Sequence, residues 1–335
     1  MRVTISYFPK KTLQNAYSSR MLQILSDDFN VDDSDLKSIT KELVNFNFSK
    51  KEVVILNWFE NSLINNQGKV TLKKVILTYI KFIILKLKYK KLIYVKHNVF
   101  PHSTDKKYIN NAIRHMALMT RFSNVVIVHS PASLLSDEKY VPHPLYSPVR
   151  RMSGETKDES LFVIFGRIAR YKKIEDVILH FPKNKKLLVI GPCDDVSYLN
   201  LLINLSNKLP NVRVVEGFMN DHEVVDILSS ASRMLITHSD TDMIVSGSFF
   251  YAIANNIPVF AIETPFLKWA ENRLASSALN CFSNLDDLMV AISGSVDSYT
   301  YSQKVKDVIK REFGDAVVRS RMRDVINCSL KKNNH

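Results

Sequence analysis

The chain has 335 residues, 46% of them hydrophobic and 24% charged, and a formal net charge of +13 at pH 7. This length suits two domains of ordinary size, and the composition excludes an intrinsically disordered chain. No stretch approaches about 18 uncharged apolar residues and the first residues lack an apolar signal core, so we expect neither a membrane-spanning helix nor a signal peptide.

Short apolar runs rich in β-branched residues alternate with helical patterns along the chain. This alternation predicts an α/β fold of two doubly wound Rossmann-like domains that face a cleft. The predicted strands are Val3–Tyr7, Val53–Trp58, Leu92–Lys96 and Val125–His129 in the first half, and Leu161–Phe165, Leu187–Ile190, Val212–Val215, Met234–Thr237 and Val259–Ile262 in the second.

A polar stretch that contains Pro148 and Gly154 separates the two groups of strands. It predicts an interdomain linker over residues 149–160, between a first domain at 1–148 and a second at 161–312. Residues 313–335 are predicted to be largely helical. The three cysteines, Cys193, Cys281 and Cys328, fit neither a zinc site nor a disulfide framework, which favours the reducing cytoplasm.

Positive charge is concentrated in the segment Lys69–Lys91. Such a helix can lie on an anionic membrane surface, or it can pack on a sheet with its lysines in water. Both interpretations stay open, although the high apolar content favours membrane contact. In a helix, the predicted apolar face is Leu72, Val75, Ile76, Tyr79 and Ile83, and the predicted basic stripe is Lys74, Lys81 and Lys88.

Two loops at predicted strand ends in the second half suit a diphosphate. In the first, Gly166 ends an apolar run, Arg167 offers two parallel donors to a phosphate, and Lys172 adds a point charge. In the second, a Ser-Gly-Ser turn opens an apolar helix whose first N–H groups can bind an anion. The two loops together predict a nucleotide-activated substrate; the residues of the turn are Ser246, Gly247 and Ser248.

Two further strand ends carry candidate ligand-binding residues. Gly217 and Phe218 offer a backbone and a ring to a nucleobase, whereas Asp240 and Asp242 can bind sugar hydroxyls or can be simply solvated.

Strand ends in the first half carry polar and aromatic side chains. His97, Asn98 and His102 form a plausible acid–base and hydrogen-bonding set, or a loop with solvated histidines. Trp58 beside Glu60 suits a sugar ring, although Trp58 equally suits the core. After the first strand, Asn15 and Tyr17 are candidates for substrate contact, and Asn15 can instead cap a helix.

At these residues the chain resembles GT-B-fold glycosyltransferases, especially the family-4-like enzymes of bacterial surface polysaccharide biosynthesis. The resemblance covers most of the chain. It implies that Phe165–Lys172 is the donor-phosphate loop, that Val214–Met219 seats the nucleobase, and that Tyr251–Val259 closes the donor site. It also implies a nucleotide-sugar-binding second domain, an acceptor-binding first domain, and a C-terminal helix that packs back on the first domain.

The resemblance extends to the acceptor side and shows one departure. Retaining members carry two glutamates at the donor site, where this chain has Met243 and Tyr251, so the stereochemistry stays open. If the reaction inverts, His97 is the candidate catalytic base. The segments similar to acceptor-side loops are Asn15–Tyr17, Asn57–Trp58, His97–Asn98, Pro101–His102 and His143–Pro144.

The resemblance therefore predicts a hexosyltransferase-type glycosyltransferase. It would move a sugar from a nucleotide-diphosphate donor, with a UDP-sugar favoured, to a lipid-linked saccharide in capsule, exopolysaccharide or O-antigen assembly. We expect a cytoplasmic enzyme, peripheral on the inner face of the cell membrane through Lys69–Lys91. No metal and no cofactor are expected, because protein cations face the diphosphate.

Three alternatives stay open. One is a nucleotide-sugar epimerase of the same fold. Another is a basic nucleic-acid-binding protein, which is disfavoured because the lysines of Lys69–Lys91 alternate with aliphatic rather than with stacking aromatic residues. The third is a sugar-binding member without activity, suggested by Met243 and Tyr251. The absence of the GxGxxG, Walker, HExxH and GxSxG motifs disfavours dehydrogenases, P-loop proteins, zinc proteases and hydrolases.

Overall fold

The computed structural model of the chain describes residues 2–9, 16–32, 34–47, 49–101, 104–150, 157–238, 244–295 and 301–331. These residues form two compact units. One contains the described residues of 1–144, 244–245 and 313–331, and the other contains those of 145–238 and 246–312. Within the described ranges, no helix is both long enough and apolar enough to cross a membrane.

The first unit is built on a six-stranded parallel sheet in the order β2-β1-β3-β4-β5-β6. Its central strands are near-continuous runs of Val, Ile and Leu because helices cover both faces of the sheet. In β3 all four residues from Val53 to Leu56 are buried. The strands are β1 (Thr4–Phe8), β2 (Asn30–Asp32), β3 (Lys51–Asn57), β4 (Tyr89–Lys96), β5 (Val125–Val128) and β6 (Glu138–Tyr140).

Five helices belong to the first unit: α1 (Ala16–Leu25), α2 (Leu36–Val44), α3 (Leu72–Lys88), α4 (Ile109–Phe122) and, from the end of the chain, α12 (Asp315–Lys331). The last of these buries Met322 and Ile326. Its position is reinforced by ion pairs to α1 and the turn after it, with Arg20 2.6 Å from Asp315 and Arg323 2.7 Å from Asp28. The C-terminal helix therefore completes the first unit.

The predicted apolar face of α3 is largely exposed, because Leu72, Ile76 and Ile83 point outward. Its packed face consists of Thr78, Phe82 and Leu85, whereas the outward face is a continuous aliphatic stripe. Lys88 is not part of a surface stripe, because its ammonium is buried and lies 2.5 Å from a carboxylate oxygen of Glu42. The exposed stripe residues, 47% to 76% exposed, are Leu72, Ile76, Ile80, Ile83 and Leu87.

The second unit has a six-stranded parallel sheet in the order β9-β8-β7-β10-β11-β12. Its strands are β7 (Asp158–Phe165), β8 (Lys186–Gly191), β9 (Val212–Glu216), β10 (Ala231–Ile236), β11 (Val259–Ile262) and β12 (Leu279–Phe282). Its helices are α5 (Ile174–His180), α6 (Val196–Ser206), α7 (Asp221–Ser230), α8 (Gly247–Ala254), α9 (Pro265–Glu271), α10 (Leu285–Gly294) and α11 (Gln303–Phe313).

The predicted architecture of two doubly wound parallel sheets is confirmed. Every predicted strand is present, and the strands that the sequence did not reveal, β2, β6 and β12, are edge strands. The predicted linker at 149–160 is too long, because β7 already begins at Asp158. In each sheet the chain reverses its direction of winding once, between β1 and β3 and between β7 and β10. Ligands of open α/β sheets bind at such points, outside the carboxyl ends of the strands.

Two glycines let the turns after β7 and β8 meet. Gly191 has φ +151°, and a Cβ built on it would lie 2.2 Å from the carbonyl oxygen of Gly166. Gly166 itself has φ +99° and donates its N–H to the Ile190 carbonyl at 3.0 Å. No side chain larger than hydrogen fits at Gly191, so this contact fixes where the Gly166 turn lies.

We expect Gly191→Ala to destabilise the second unit by roughly 3 kcal/mol, because the methyl group overlaps backbone and the φ angle is unfavourable. Chemical denaturation of the variant measures the loss. Gly294→Ala is the matched control, since Gly294 has no atom within 4 Å of its would-be Cβ and should be neutral or slightly stabilising. Equal stability of the two variants would contradict the assigned contact.

Candidate functional site

Lys172 is a buried cation at the winding reversal of the second unit. It ends the 3₁₀ turn Arg170–Lys172 and is only 6% exposed. The Thr237 hydroxyl, just after β10, donates to the Lys172 carbonyl at 2.6 Å. Burial, and secondly the charge of Arg167, lower the pKa of Lys172 to about 8. No carboxylate of the described residues pairs with its ammonium, so the site favours an anion.

Three loops converge around this ammonium. A Cβ on Gly166 would lie 3.3 Å from the Ser248 hydroxyl oxygen and 3.6 Å from Lys172 Nζ. The Ser248 hydroxyl donates to the Phe165 carbonyl at 3.4 Å. His238, buried after β10, lies edge-on to the Tyr171 ring at 5.6 Å. Phe165, Lys172, Thr237, His238 and Ser248 line one small pocket.

The N-terminus of α8 opens beside the same pocket. Ser246 occupies the N-cap position in an extended conformation, but its side chain makes no capping hydrogen bond. Among the described residues no acceptor binds the N–H groups of Gly247 or Ser248. These donors and the positive end of the helix dipole are therefore placed to bind an anion together with Lys172.

Other predicted residues of this half lie differently. Arg167 is 68% exposed, and its guanidinium is 3.0 Å from the Asp194 carboxylate. Gly217 has φ +135° with open space around it, and the Phe218 ring is 87% exposed. Asp242, like Asp240 and Met243, lies outside the described residues. Tyr251, at the position of a family glutamate, packs on Phe165 with ring centroids 5.0 Å apart.

The first unit has an aromatic and histidine cluster at the carboxyl ends of β1, β3, β4 and β5. Tyr17 lies at its centre, with its ring centroid 4.9 Å from His97, 4.9 Å from His143, 5.2 Å from Trp58 and 5.4 Å from His129. All three histidines are buried. The cluster thus brings together side chains that are far apart in the sequence.

The hydrogen bonds of this cluster set two imidazole tautomers. His129 Nδ1 is 2.8 Å from the Val141 carbonyl, which only an N–H can approach. Burial lowers the pKa of His129 to about 4, so the ring is neutral and its Nε2 accepts a hydrogen bond from the Tyr17 hydroxyl at 2.8 Å. Burial, and secondly His129, lower the pKa of His143 well below its usual range. Its Nδ1–H donates to the Pro144 carbonyl at 2.7 Å.

His97 is held by a second chain of hydrogen bonds. The Asn57 amide donates to the Phe8 carbonyl at 3.0 Å, which directs its oxygen to His97 Nε2 at 3.1 Å. In the neutral ring this nitrogen therefore carries the proton, and Nδ1 carries the lone pair. The imidazole stacks on Trp58 at 4.1 Å with an angle of 13° between the rings. Trp58 has φ +48°, a left-handed conformation that turns its ring over the end of β3.

Glu60 does not lie where the prediction placed it. Its side chain is fully buried and accepts a hydrogen bond from the Tyr94 hydroxyl at 2.6 Å, so in this structure it belongs to the core. Asn98 is also buried, directly after β4. The predicted acceptor residues Asn15 and His102 lie outside the described residues.

Sequence reasoning did not single out His129 and His238, and it named His143 only through the resemblance. Each of the first two follows a buried strand, β5 and β10, at the end where ligands bind. Strand-end position was thus the available signal. In the described ranges no three His, Cys, Asp or Glu side chains are arranged to hold a metal ion.

No protein-family model and no curated protein matches the sequence. Solved structures match almost the whole chain. HepE of Anabaena, in complex with UDP and glucose, has 12% identity and a TM-score of 0.68 over 98% of this chain and 100% of its own. A glycosyltransferase of Rickettsia africae has 10% identity and a TM-score of 0.64 over 99% and 100%. The lipopolysaccharide outer core galactosyltransferase WaaB has 14% identity and a TM-score of 0.56 over 98% and 100%. The chain therefore has the GT-B fold that the sequence predicts.

We expect the His129 site to make the protein less stable in mild acid. The pKa of this imidazole falls from 6.5 to about 4 on folding, so between these values the unfolded chain binds the proton first. The free energy of unfolding should therefore fall by about 2 kcal/mol between pH 7 and pH 5 through this group. Urea denaturation across this range should show a shallower pH dependence in His129→Gln. The exposed His180→Gln should keep the slope of the natural chain, and equal slopes in all three proteins would contradict the assignment.

Proposed function

We propose that this protein is a glycosyltransferase that moves a sugar from a UDP-sugar to a hydroxyl of a lipid-linked saccharide. The observation that carries the proposal is the buried ammonium of Lys172, which has no carboxylate partner within the described ranges and lies beside the uncapped N-terminus of α8. A cation and free N–H donors at a winding reversal are suited to the diphosphate of a nucleotide sugar.

Solved structures of the same fold support the choice of donor. HepE is described in complex with UDP and glucose, and the pneumococcal O-GlcNAc transferase GtfA in complex with UDP and GlcNAc. By analogy with these two proteins, we propose a UDP-linked hexose as the donor of this chain.

The chemistry of the proposed reaction lies mainly in stabilising the leaving group. As the bond from the sugar to the diphosphate breaks, negative charge grows on the phosphate oxygens. Lys172 and the N–H groups of Gly247 and Ser248 are fixed donors for that charge, which lowers the barrier without requiring reorganisation at the moment of reaction. Arg167 can add a bidentate contact if it exchanges Asp194 for the phosphate. We propose that these residues bind without a metal.

On the acceptor side, we propose the cluster around Tyr17. The stacked pair of Trp58 and His97 offers an apolar face and a polar edge, which match a sugar ring. Its position in the cluster, with Nε2 held by Asn57, makes His97 the proposed base for an acceptor hydroxyl in an inverting reaction. Tyr17 and His129 are then positioning residues, because their rings pack against the pair, and His143 packs against both of them.

We further propose that the protein docks on an anionic membrane through α3, where a lipid-linked acceptor would be found. The exposed stripe from Leu72 to Leu87 runs along the whole helix. The segment Lys69–Lys91 holds eight lysines and no acidic residue. An apolar stripe bordered by lysines is suited to the boundary between lipid headgroups and acyl chains.

We expect Lys172→Met to weaken UDP binding by roughly 10- to 100-fold, since it removes a charge-assisted hydrogen bond to phosphate. The same change should raise the melting temperature of the ligand-free protein, because a buried charge without a partner is costly. Calorimetry with UDP, GDP, CMP and dTDP, together with thermal unfolding, measures both effects. Lys173→Met is the matched control, since Lys173 is adjacent and exposed and should change neither property.

Binding should also take up protons near pH 8.5, because a diphosphate favours the ammonium form of a lysine whose pKa is about 8. Calorimetric enthalpies in buffers of different ionisation enthalpy detect this uptake, which Lys172→Met should abolish. Absence of binding by every nucleotide would sink the transferase proposal. Turnover of a nucleotide sugar without an acceptor would instead favour an epimerase.

We expect the triple variant Ile76→Gln, Ile80→Gln and Ile83→Gln to reduce co-sedimentation with phosphatidylglycerol vesicles by about tenfold or more. The reason is the loss of apolar contact from the exposed stripe of α3. The matched control replaces three exposed aliphatic residues of the second unit by glutamine, namely Leu179, Val196 and Leu201. Unchanged sedimentation of the α3 variant would remove the basis for membrane docking.

A further inference from the structure

The first unit contains a cavity of about 630 Å³ between α12 and the strands β4, β5 and β6. It is separate from the Tyr17 cluster. His97 directly follows β4 and is six residues from the lining residue Lys91. In an extended strand six residues span about 20 Å. None of the candidate donor-site or acceptor-site residues lines this cavity, and its volume is that of a typical small-molecule site.

The cavity wall carries more positive than negative charge. Its cations are Lys91, Lys139 and Arg321, and its single carboxylate is Asp324. On either side of Arg321 along α12, Arg319 and Arg323 pair with aspartates of the turn after α1. Arg321 instead lies over the Tyr140 ring, 6.0 Å from its centroid. Within the described ranges neither Lys139 nor Arg321 has a carboxylate within ion-pair distance.

Further lysines stand close to the cavity. Lys86, near the end of α3, donates to the side-chain oxygen of the lining residue Asn124 at 3.4 Å. Partial burial, followed by the charges of Lys50 and Lys91, lowers the pKa of Lys86. The charges of the two neighbouring lysines thus add to the effect of burial, and a nearby anion would oppose both.

The rest of the wall is apolar, with Val125, Val325 and the Tyr140 ring. We propose that the cavity binds a net-anionic, phosphate-bearing amphiphile, with Lys139 and Arg321 holding the phosphate and the apolar wall contacting the remainder of the ligand. Contact between Lys86 of α3 and Asn124 favours an anionic lipid as the source, and a free phosphate ester offers the same chemistry. The choice of a lipid rests on the proposed docking of α3 on a membrane, whereas the cavity and its cations do not depend on the proposed transferase activity.

Cys328 provides a direct measurement, because it is exposed and lines the cavity. The rate of its alkylation by N-ethylmaleimide is followed by peptide mass spectrometry. Probes are dihexanoyl phosphatidylglycerol below its micelle concentration, dihexanoyl phosphatidylcholine, and inorganic phosphate. We expect saturating phosphatidylglycerol to slow alkylation of Cys328 about fivefold or more, as expected when a ligand fills a site of this size. Cys193 and Cys281, both in the second unit, should be unaffected.

Variants test which side chains hold the phosphate. The double variant Lys139→Gln and Arg321→Gln should raise the half-protecting concentration about tenfold or more, since two charge-assisted contacts are lost. The matched double variant Lys208→Gln and Arg311→Gln removes the same charge elsewhere and should leave it unchanged. Asp324→Asn should lower it, and this change carries the test if the double variant does not fold.

Each outcome of these experiments either supports the proposal or overturns it. Protection by inorganic phosphate at the same concentrations supports the site and assigns it to a free phosphate ester. Equal protection by phosphatidylcholine, no protection by either anionic probe, or protection that is insensitive to Asp324→Asn and to the double variant would overturn the proposal.

Discussion

The winding reversal of the second unit holds the buried ammonium of Lys172, beside which the described part of the chain places no carboxylate. Such a charge costs several kcal/mol, and it stays in place only because the surrounding structure leaves it no other position. The close contact of Gly191 with Gly166 fixes one loop, and the bond from Thr237 to the Lys172 carbonyl fixes the turn that carries the ammonium. Several loops of the winding reversal therefore act together to hold the charge in its unfavourable position. A bound anion would turn the same charge into a favourable interaction, which explains why a fold would keep it.

The polar cluster of the first unit differs from this site, because burial lowers the pKa of His129 and His143 and keeps both rings neutral. Each imidazole there has a nitrogen bound to a fixed acceptor: His129 to the Val141 carbonyl, His97 to the Asn57 side chain and His143 to the Pro144 carbonyl. These acceptors determine which nitrogen carries the proton in each neutral imidazole. A neutral, preorganised surface suits a ligand rich in hydroxyl groups, whereas the cationic site of the second unit suits an anionic one. The two units thus differ in chemistry although both are doubly wound.

Most of the strands and two loops of the candidate site were predictable from the sequence. The features that were not predictable share a cause, which is the lack of a local sequence signal. Central strands such as β3 and β10 are recognisable because burial on both faces requires an unbroken apolar run. The edge strands β2 (Asn-Val-Asp) and β6 (Glu-Lys-Tyr) are short and polar, so they carry no such signal. The Gly166 loop and the Ser-Gly-Ser turn were recognisable by residue type. Local pattern did not show that Lys172 would be buried while Arg167 is exposed, nor that Gly191 must be glycine. Both depend on contacts between loops that are distant in the chain.

The helix α3 shows a different limit of prediction from the sequence. It carries apolar residues on nearly every side, so its periodicity predicts a helix but cannot decide which face packs on the sheet. The structure packs the face of Thr78, Phe82 and Leu85 and leaves the stripe from Leu72 to Leu87 outward. A helix that is apolar on two faces needs two apolar surroundings. The sheet provides one of them. The lysines on the rest of this segment repel basic surfaces and are compatible with anionic ones, which is why we propose an anionic membrane as the second surrounding.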